Sequence, residues 1–251
     1  MKAIATLVMI GAAFLINALS NIAPINGQSV GEISNTVFKE VLITPANYAF
    51  AIWGLIYLSV FAFGIFQLRA DQRNDDKWDQ VRWMMMIASG AQIAWIFVFL
   101  TGHFVSSLVA MIIIWCALGW GYLSLLGLHP LKPAEYRSVQ IPWSIYWGWI
   151  SVATIVNVAL TLFSLGWQGG FLSPQAWTIL LMVIAMIIGG VMVIRHRDMA
   201  FAGVFIWALV AIAQKHQGLP SLYFTGLGTA IALGLVTLYV CIQSRRALKP
   251  Q

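Results

Sequence analysis

Long apolar stretches separated by short polar ones run the length of this chain. Eight of them read as membrane-crossing helices: 3–25, 45–68, 83–101, 104–127, 141–165, 175–194, 199–214 and 222–243. A helix needs about 20 residues to cross the hydrocarbon core, and the seventh stretch is the one that falls clearly short. The alternating pattern of a membrane β-barrel is absent. The expected fold class is therefore an all-α integral membrane protein of about eight transmembrane helices.

Composition sharpens this expectation. Hydrophobic residues make up 61% of the 251 and charged residues 9%, with a mean hydropathy of +0.85, far from the soluble range. The charges then orient the spans. Lys2, Arg69, Arg73, Lys77, Arg82, Lys132, Arg137, Arg195, Arg197, Arg245, Arg246 and Lys249 fall on the side of the N-terminus, whereas Lys39 and Lys215 fall on the other. Positive charge collects on the cytoplasmic side, so both termini are expected in the cytoplasm, the membrane being a bacterial inner membrane. The same bias accounts for the net charge of +6 without a nucleic-acid partner. The first span has a second reading, because Lys2, an apolar core and Ala18-Leu19-Ser20 also fit a cleaved signal peptide. Either fate leaves 26–44 outside and the later topology unchanged.

All eight acids (Glu32, Glu40, Asp71, Asp75, Asp76, Asp79, Glu135 and Asp198) fall outside these spans, which argues against an ion-coupled pump. No spacing of cysteine or histidine suggests a zinc site, so no metal is expected. No nucleophile elbow or phosphate loop occurs, and no catalytic residue is assigned. Lys215 sits at the outer end of its span with no intramembrane carboxylate nearby, which argues against a retinal Schiff base. Trp78, Trp83, Trp143, Trp167 and Trp177 lie near predicted interfaces, where indoles commonly anchor helices.

Two stretches carry more specific chemistry. In the fifth span Tyr146, Trp149, Ala153 and Asn157 recur at three- and four-residue spacing, so they share one helix face. An amide in hydrocarbon needs a partner, so Asn157 faces other helices or a cavity. In the second span Thr44 is placed to cap a helix with Pro45 in its first turn, followed by Tyr48, Phe50, Trp53 and Tyr57. Trp53 lies roughly 12 Å below the outer boundary at 1.5 Å per residue, and Asn157 lies about as deep. The two stripes are expected to line one pocket open to the outside.

These residues resemble a known family, the TspO/MBR proteins, also called tryptophan-rich sensory or translocator proteins. Its second-span pattern is matched by Pro45, Tyr48, Phe50, Trp53 and Tyr57, and its fifth-span pattern by Tyr146, Trp149, Ala153 and Asn157. Gln92, Trp95 and Phe99 give a looser likeness in the third span. Phe50 and Trp53 stand one residue closer than is usual in the family, which would turn Trp53 by about 100° on an α-helix. The resemblance implies a five-helix TspO-like domain over 1–168, with 169–251 as a three-helix membrane extension ending in a short cytoplasmic tail, as in an enlarged, divergent branch.

The resemblance also implies a ligand: a planar hydrophobic molecule such as a porphyrin or haem precursor, an isoprenoid or a sterol-like lipid, bound for sensing, sequestration or transport, with a role in stress response. Pro45, Tyr48, Phe50, Trp53, Tyr57, Trp95, Tyr146, Trp149, Ala153 and Asn157 are its expected contacts. No covalent cofactor is expected, only a bound porphyrin or haem. Light-dependent porphyrin breakdown, linked to family members, would fall to Trp53 and Trp149. Membrane lipid and a second copy in a homodimer complete the expected partners. Two other readings stay open from the residues alone, a small transporter or permease using all eight helices and a scaffold subunit without a ligand.

Overall fold

Each apolar run folds as a helix whose ends are set by prolines, glycines and capping side chains. The computed structural model describes residues 1–167 and 169–247. Gln168, at the expected domain boundary, and Lys249, among the counted charges, lie outside the described residues. The helices are α1 (Lys2–Ile22), α2 (Val30–Thr36), α3 (Ile52–Phe66), α4 (Asp79–Leu100), α5 (Phe104–Leu126), α6 (Pro133–Glu135), α7 (Ile141–Ser164), α8 (Pro174–His196), α9 (Met199–Lys215) and α10 (Pro220–Ala247). A 3₁₀ turn, Asn47–Ala51, leads into α3, and a wide π turn, Tyr136–Gln140, joins α6 to α7. No strand occurs among the described residues.

Among the described residues seven helices are long and apolar enough to cross a membrane, and α9 is a shorter apolar helix of 17 residues. The chain is an all-α integral membrane protein. In packing order α1 lies against α3 and α4, α4 against α5, α5 against α7, and α7 against α3 and α9. The last three helices pack on one another, and α9 forms their seam with α7. Where α5 meets α7, Gly121 makes room for the Trp143 indole, since a Cβ at this position would lie 2.0 Å from Trp143 Cζ2. The indole N–H in turn donates to the Leu118 carbonyl at 2.7 Å. Gly226 does the same between α10 and α9, where an added Cβ would stand 2.8 Å from Ala213 Cβ.

Several expectations change. Thr44 caps no helix: its hydroxyl donates to the Val41 carbonyl at 2.9 Å, and helical structure begins only at Asn47, beyond Pro45. Trp78 and Trp143 are fully buried core residues rather than interface anchors, because each finds an acceptor for its N–H inside the protein. Arg82, counted as a loop charge, belongs to α4 and is only 1% exposed. Its guanidinium donates to Gln67 Oε1 at 3.1 Å, the Gln72 carbonyl at 2.7 Å, the Asp75 carbonyl at 3.3 Å and Asp79 Oδ1 at 3.1 Å. Such complete pairing is what permits a buried charge. Lys2 bonds to Asp79 as well, and Lys77 bridges to Glu135 at 2.9 Å, tying the N-terminal face of the bundle together.

Asp198 is likewise not a solvated loop acid. It caps α9 by accepting from the Phe201 backbone N–H at 3.0 Å and takes the Ser144 hydroxyl of α7 at 2.5 Å, buried in both contacts. The α8–α9 turn is thereby fastened to the first five spans, with Arg197 in the left-handed conformation at φ 53° closing α8.

An aromatic cavity at the end of the bundle opposite the N-terminus

A cavity of about 530 Å³, counting its open mouth, lies among α2, α3, α4, α5 and α7 in the half of the bundle away from the N-terminus. Pro45, Phe50, Trp53, Trp95, Trp149, Ala153 and Asn157, seven of the ten residues expected from sequence, line it together. The short spacing of Phe50 and Trp53 finds its explanation here. Phe50 stands in the 3₁₀ turn and Trp53 in α3, and the tighter winding of that turn changes the angle between them, so both reach one cavity.

The aromatic rings brace one another. Phe50 meets Trp149 edge to face at 6.2 Å, and Trp95 stacks on Phe99 at 5.0 Å. Tyr57 and Tyr146 stand behind this lining: Trp53 stacks on Tyr57 at 5.5 Å and meets Tyr146 at 6.0 Å. The Tyr57 hydroxyl donates to the Ala13 carbonyl of α1 at 3.1 Å. Tyr48 departs from the group. At 43% exposure it turns to the other side of the 3₁₀ turn and packs on Trp207 of α9.

Asn157 is buried and bridges helices. Its Oδ1 accepts from the Trp95 indole at 3.1 Å, and its Nδ2 donates to Ser107 Oγ at 3.2 Å. An indole N–H only donates, so this contact fixes which end of the amide faces Trp95. The Ser107 hydroxyl donates onward to the Phe104 carbonyl at 2.7 Å. The wall is thus a cross-linked unit of α4, α5 and α7.

The rim is held by the C-terminal helices. The segment from Leu42 to Ala49, which carries Pro45, is bound to α9 and the residue after it through four hydrogen bonds. The Leu42 carbonyl accepts from His216 Nε2 at 2.7 Å, the Ala46 N–H donates to the Ala211 carbonyl at 3.2 Å, and the Ala49 carbonyl accepts from the Trp207 indole at 3.1 Å. Lys215 bonds to the Thr44 hydroxyl. His216 lies outside the helices, and burial holds its imidazole below the ordinary histidine range, with the neighbouring Lys215 charge adding to the effect. On the opposite side of the rim, Ser29 and Glu32 form a reciprocal cap that starts α2 and orients Val30 and Ser34 toward the cavity. Hydrogen bonds from the Ser29 backbone and hydroxyl keep the Glu32 carboxyl below its usual range.

Sequence reasoning missed part of the lining. Val152, Val156 and Leu160 repeat one residue before the predicted stripe and widen it, a face that helical spacing makes legible. Asn17 was also missed. It opens onto an adjoining space of about 630 Å³, counting its mouth, shared with Asn21, Val30, Phe50, Ala51, Trp53 and Trp95. The reasoning applied to Asn157, an amide inside an apolar span, would have found it. A separate narrow, apolar crevice of about 280 Å³, counting its open mouth, lies between α7, α8 and α9, on the far side of Val152 and Val156.

No curated protein and no solved structure matches this chain. A family profile does, over residues 3–239, a span that takes in the C-terminal helices as well as the motif-bearing ones. With the aromatic and amide motifs of α3 and α7 meeting in one membrane-embedded helical bundle, that match establishes that the chain belongs to the TSPO-like proteins.

Proposed function

We propose that this protein binds a planar hydrophobic molecule in the aromatic cavity and holds it for sensing, sequestration or transport. One observation carries the reading. Five large rings, Phe50, Trp53, Trp95, Phe99 and Trp149, and a fixed amide, Asn157, converge on one open space lined, among the described residues, by no charged side chain. Aromatic faces stack on flat ligands, while a few fixed polar groups set orientation. The ligand classes are a porphyrin or haem precursor, an isoprenoid and a sterol-like lipid.

The lining tests how well haem itself fits. Among the described residues that line the cavity there is no histidine, cysteine or tyrosine, and Met111 is the one sulfur donor. An iron would find at most one weak axial ligand here, so a metal-free ring suits this set better than haem. The protein's part is then to bind, orient and exclude water.

The test is a tryptophan-quenching titration of the purified protein in detergent with protoporphyrin IX, as free acid and as dimethyl ester, beside a Trp149→Phe, Asn157→Ala variant. Saturable micromolar binding of either form, lost in a variant that remains folded, supports the reading. Absence of saturable binding, or equal binding by the folded variant, removes it.

A transporter built from all eight helices is the second reading, favoured by the apolar crevice that α8 and α9 share with α7. Val152 and Val156 line both spaces, so a path would open by parting that wall. Ligand counterflow in vesicles, blocked by bulkier residues at these two positions, is its signature.

A further inference from the structure

The polar groups of the two spaces are unequally satisfied: Asn157 and the Ser34 hydroxyl are paired within the protein, whereas the amide of Asn17 on α1 is not. Asn17 is only 7% exposed. Its backbone carbonyl is used twice, accepting from the Ser20 hydroxyl and from Asn21 Nδ2, both at 2.8 Å. Its side-chain carboxamide has no hydrogen-bond partner among the described residues, and it faces the space it shares with Trp53 and Trp95. Its height follows from the neighbouring turn. Ala13 lies four residues below Asn17 and accepts the Tyr57 hydroxyl, while Trp53 lies four residues above Tyr57 on the antiparallel α3. Four residues rise about 6 Å on either helix, so Asn17 stands level with Trp53.

The amide reaches this open space with its donor and acceptor free of protein partners, so a ligand's polar group can bond to both. Among the described residues, the lining of these two adjoining spaces contains no Asp, Glu, Lys, Arg or His. Near the rim, the Lys215 ammonium is bonded to Thr44 and does not line either space. Glu32, on the α2 turn that faces the cavity, is bonded to Ser29 and exposed. An amide can donate to a carbonyl or accept from a hydroxyl, but it cannot neutralise a carboxylate.

We infer that Asn17 receives the polar group of the ligand and that the site selects uncharged molecules, flat and apolar with a carbonyl, hydroxyl or ester, over carboxylate-bearing molecules of the same shape. The inference rests on the planar-ligand reading above and narrows it. The ring lies among Trp53, Trp95 and Trp149, and its polar edge turns toward α1.

The probes are protoporphyrin IX and its dimethyl ester, which share one ring and differ in charge at neutral pH. Titrated into the full-length wild-type protein, the ester is expected to bind at least about tenfold more tightly than the diacid, because a carboxylate entering this lining finds no cation. Asn17→Leu, similar in volume, is expected to weaken the ester by about fivefold, the worth of one hydrogen bond. Because the amide has no protein partner to lose, the variant should melt no lower than wild type. Diacid binding as tight as the ester's, or diacid binding that Lys215→Met abolishes, overturns the inference and leaves the planar-ligand reading standing. Ester binding unchanged in Asn17→Leu also overturns it. Failure of both porphyrins to bind removes that reading and the inference together.

Discussion

The two ends of the bundle use the same kinds of polar side chain for opposite ends. At the N-terminal face, Arg82 is buried with four acceptors around it, Trp78 donates to Gln72 at 2.8 Å, and Lys77 and Lys2 are paired with carboxylates. At the far end, Asn157 is paired but Asn17 is not, and aromatic rings surround open space instead of closing it. A region whose charges are paired with carboxylates and carbonyls fastens helices, even though Gln67 Nε2 and Gln140 Oε1 are buried there without a partner among the described residues. A region that leaves a buried polar group unpaired, beside a void, is built to receive something from outside the chain. Substitutions at the first end should therefore be read in stability, and at the second in binding.

The largest effect is expected at the fastened end. Arg82→Met leaves Gln67 and two backbone carbonyls without their donor and Asp79 with Lys2 alone, and each lost hydrogen bond to a charged group is worth about 1.5 to 3 kcal/mol. Thermal unfolding in detergent, followed by tryptophan emission, should show a large drop in midpoint. If the variant melts like wild type, the contrast between the two ends fails.

Next comes Asn157→Ala, which probes where the two roles overlap. It orphans the Trp95 N–H and removes the donor to the Ser107 oxygen, whose own bond to Phe104 remains, so a loss of about 1 to 3 kcal/mol in stability should accompany weaker porphyrin binding. Trp149→Phe separates the roles by keeping an aromatic ring with less surface. Binding should fall with little change in melting, and the opposite pattern would assign Trp149 to packing alone.

Smaller effects belong to the rim. Trp207→Phe deletes the hydrogen bond to the Ala49 carbonyl and retains the ring beside Tyr48, a change of about 1 kcal/mol. If α9 positions the rim for the ligand, affinity drops about fivefold even though Trp207 does not line the cavity. Unaltered affinity would make α9 a passive neighbour.

The smallest effect is a pH dependence at His216. Its imidazole is held below the ordinary value of 6.5 by burial, so the unfolded chain takes up a proton more readily than the folded one. The stabilisation is complete above the ordinary value and is lost as pH falls from there toward the depressed one. Melting curves at pH 7.5 and 5.5 should reveal a decrease that is reduced in His216→Gln, whose amide can still donate to the Leu42 carbonyl.

Much of the site was legible before folding because helical periodicity is a local property. Trp149, Ala153 and Asn157 fall on one face whatever surrounds them, and Trp53 and Tyr57 stack because they are one turn apart. The position of Tyr48 was not legible. It depends on Asn47–Ala51 winding as a 3₁₀ turn and on Trp207, some 158 residues from Ala49 in sequence, supplying a surface to pack on. Likewise Arg82 and Asp198 look like solvated charges in sequence, because the partners that permit their burial come from other segments.

The sequence by itself determined that this chain is a helical membrane protein, where its spans run and which residues share a face, since hydrophobic length and helical period are written into consecutive residues. Tertiary structure alone decided which polar groups are paired, that α9 holds the cavity rim and that Asn17 stands open beside Trp53. A hydrogen bond between distant segments is fixed by where helices dock, and docking is a property of the whole packed bundle.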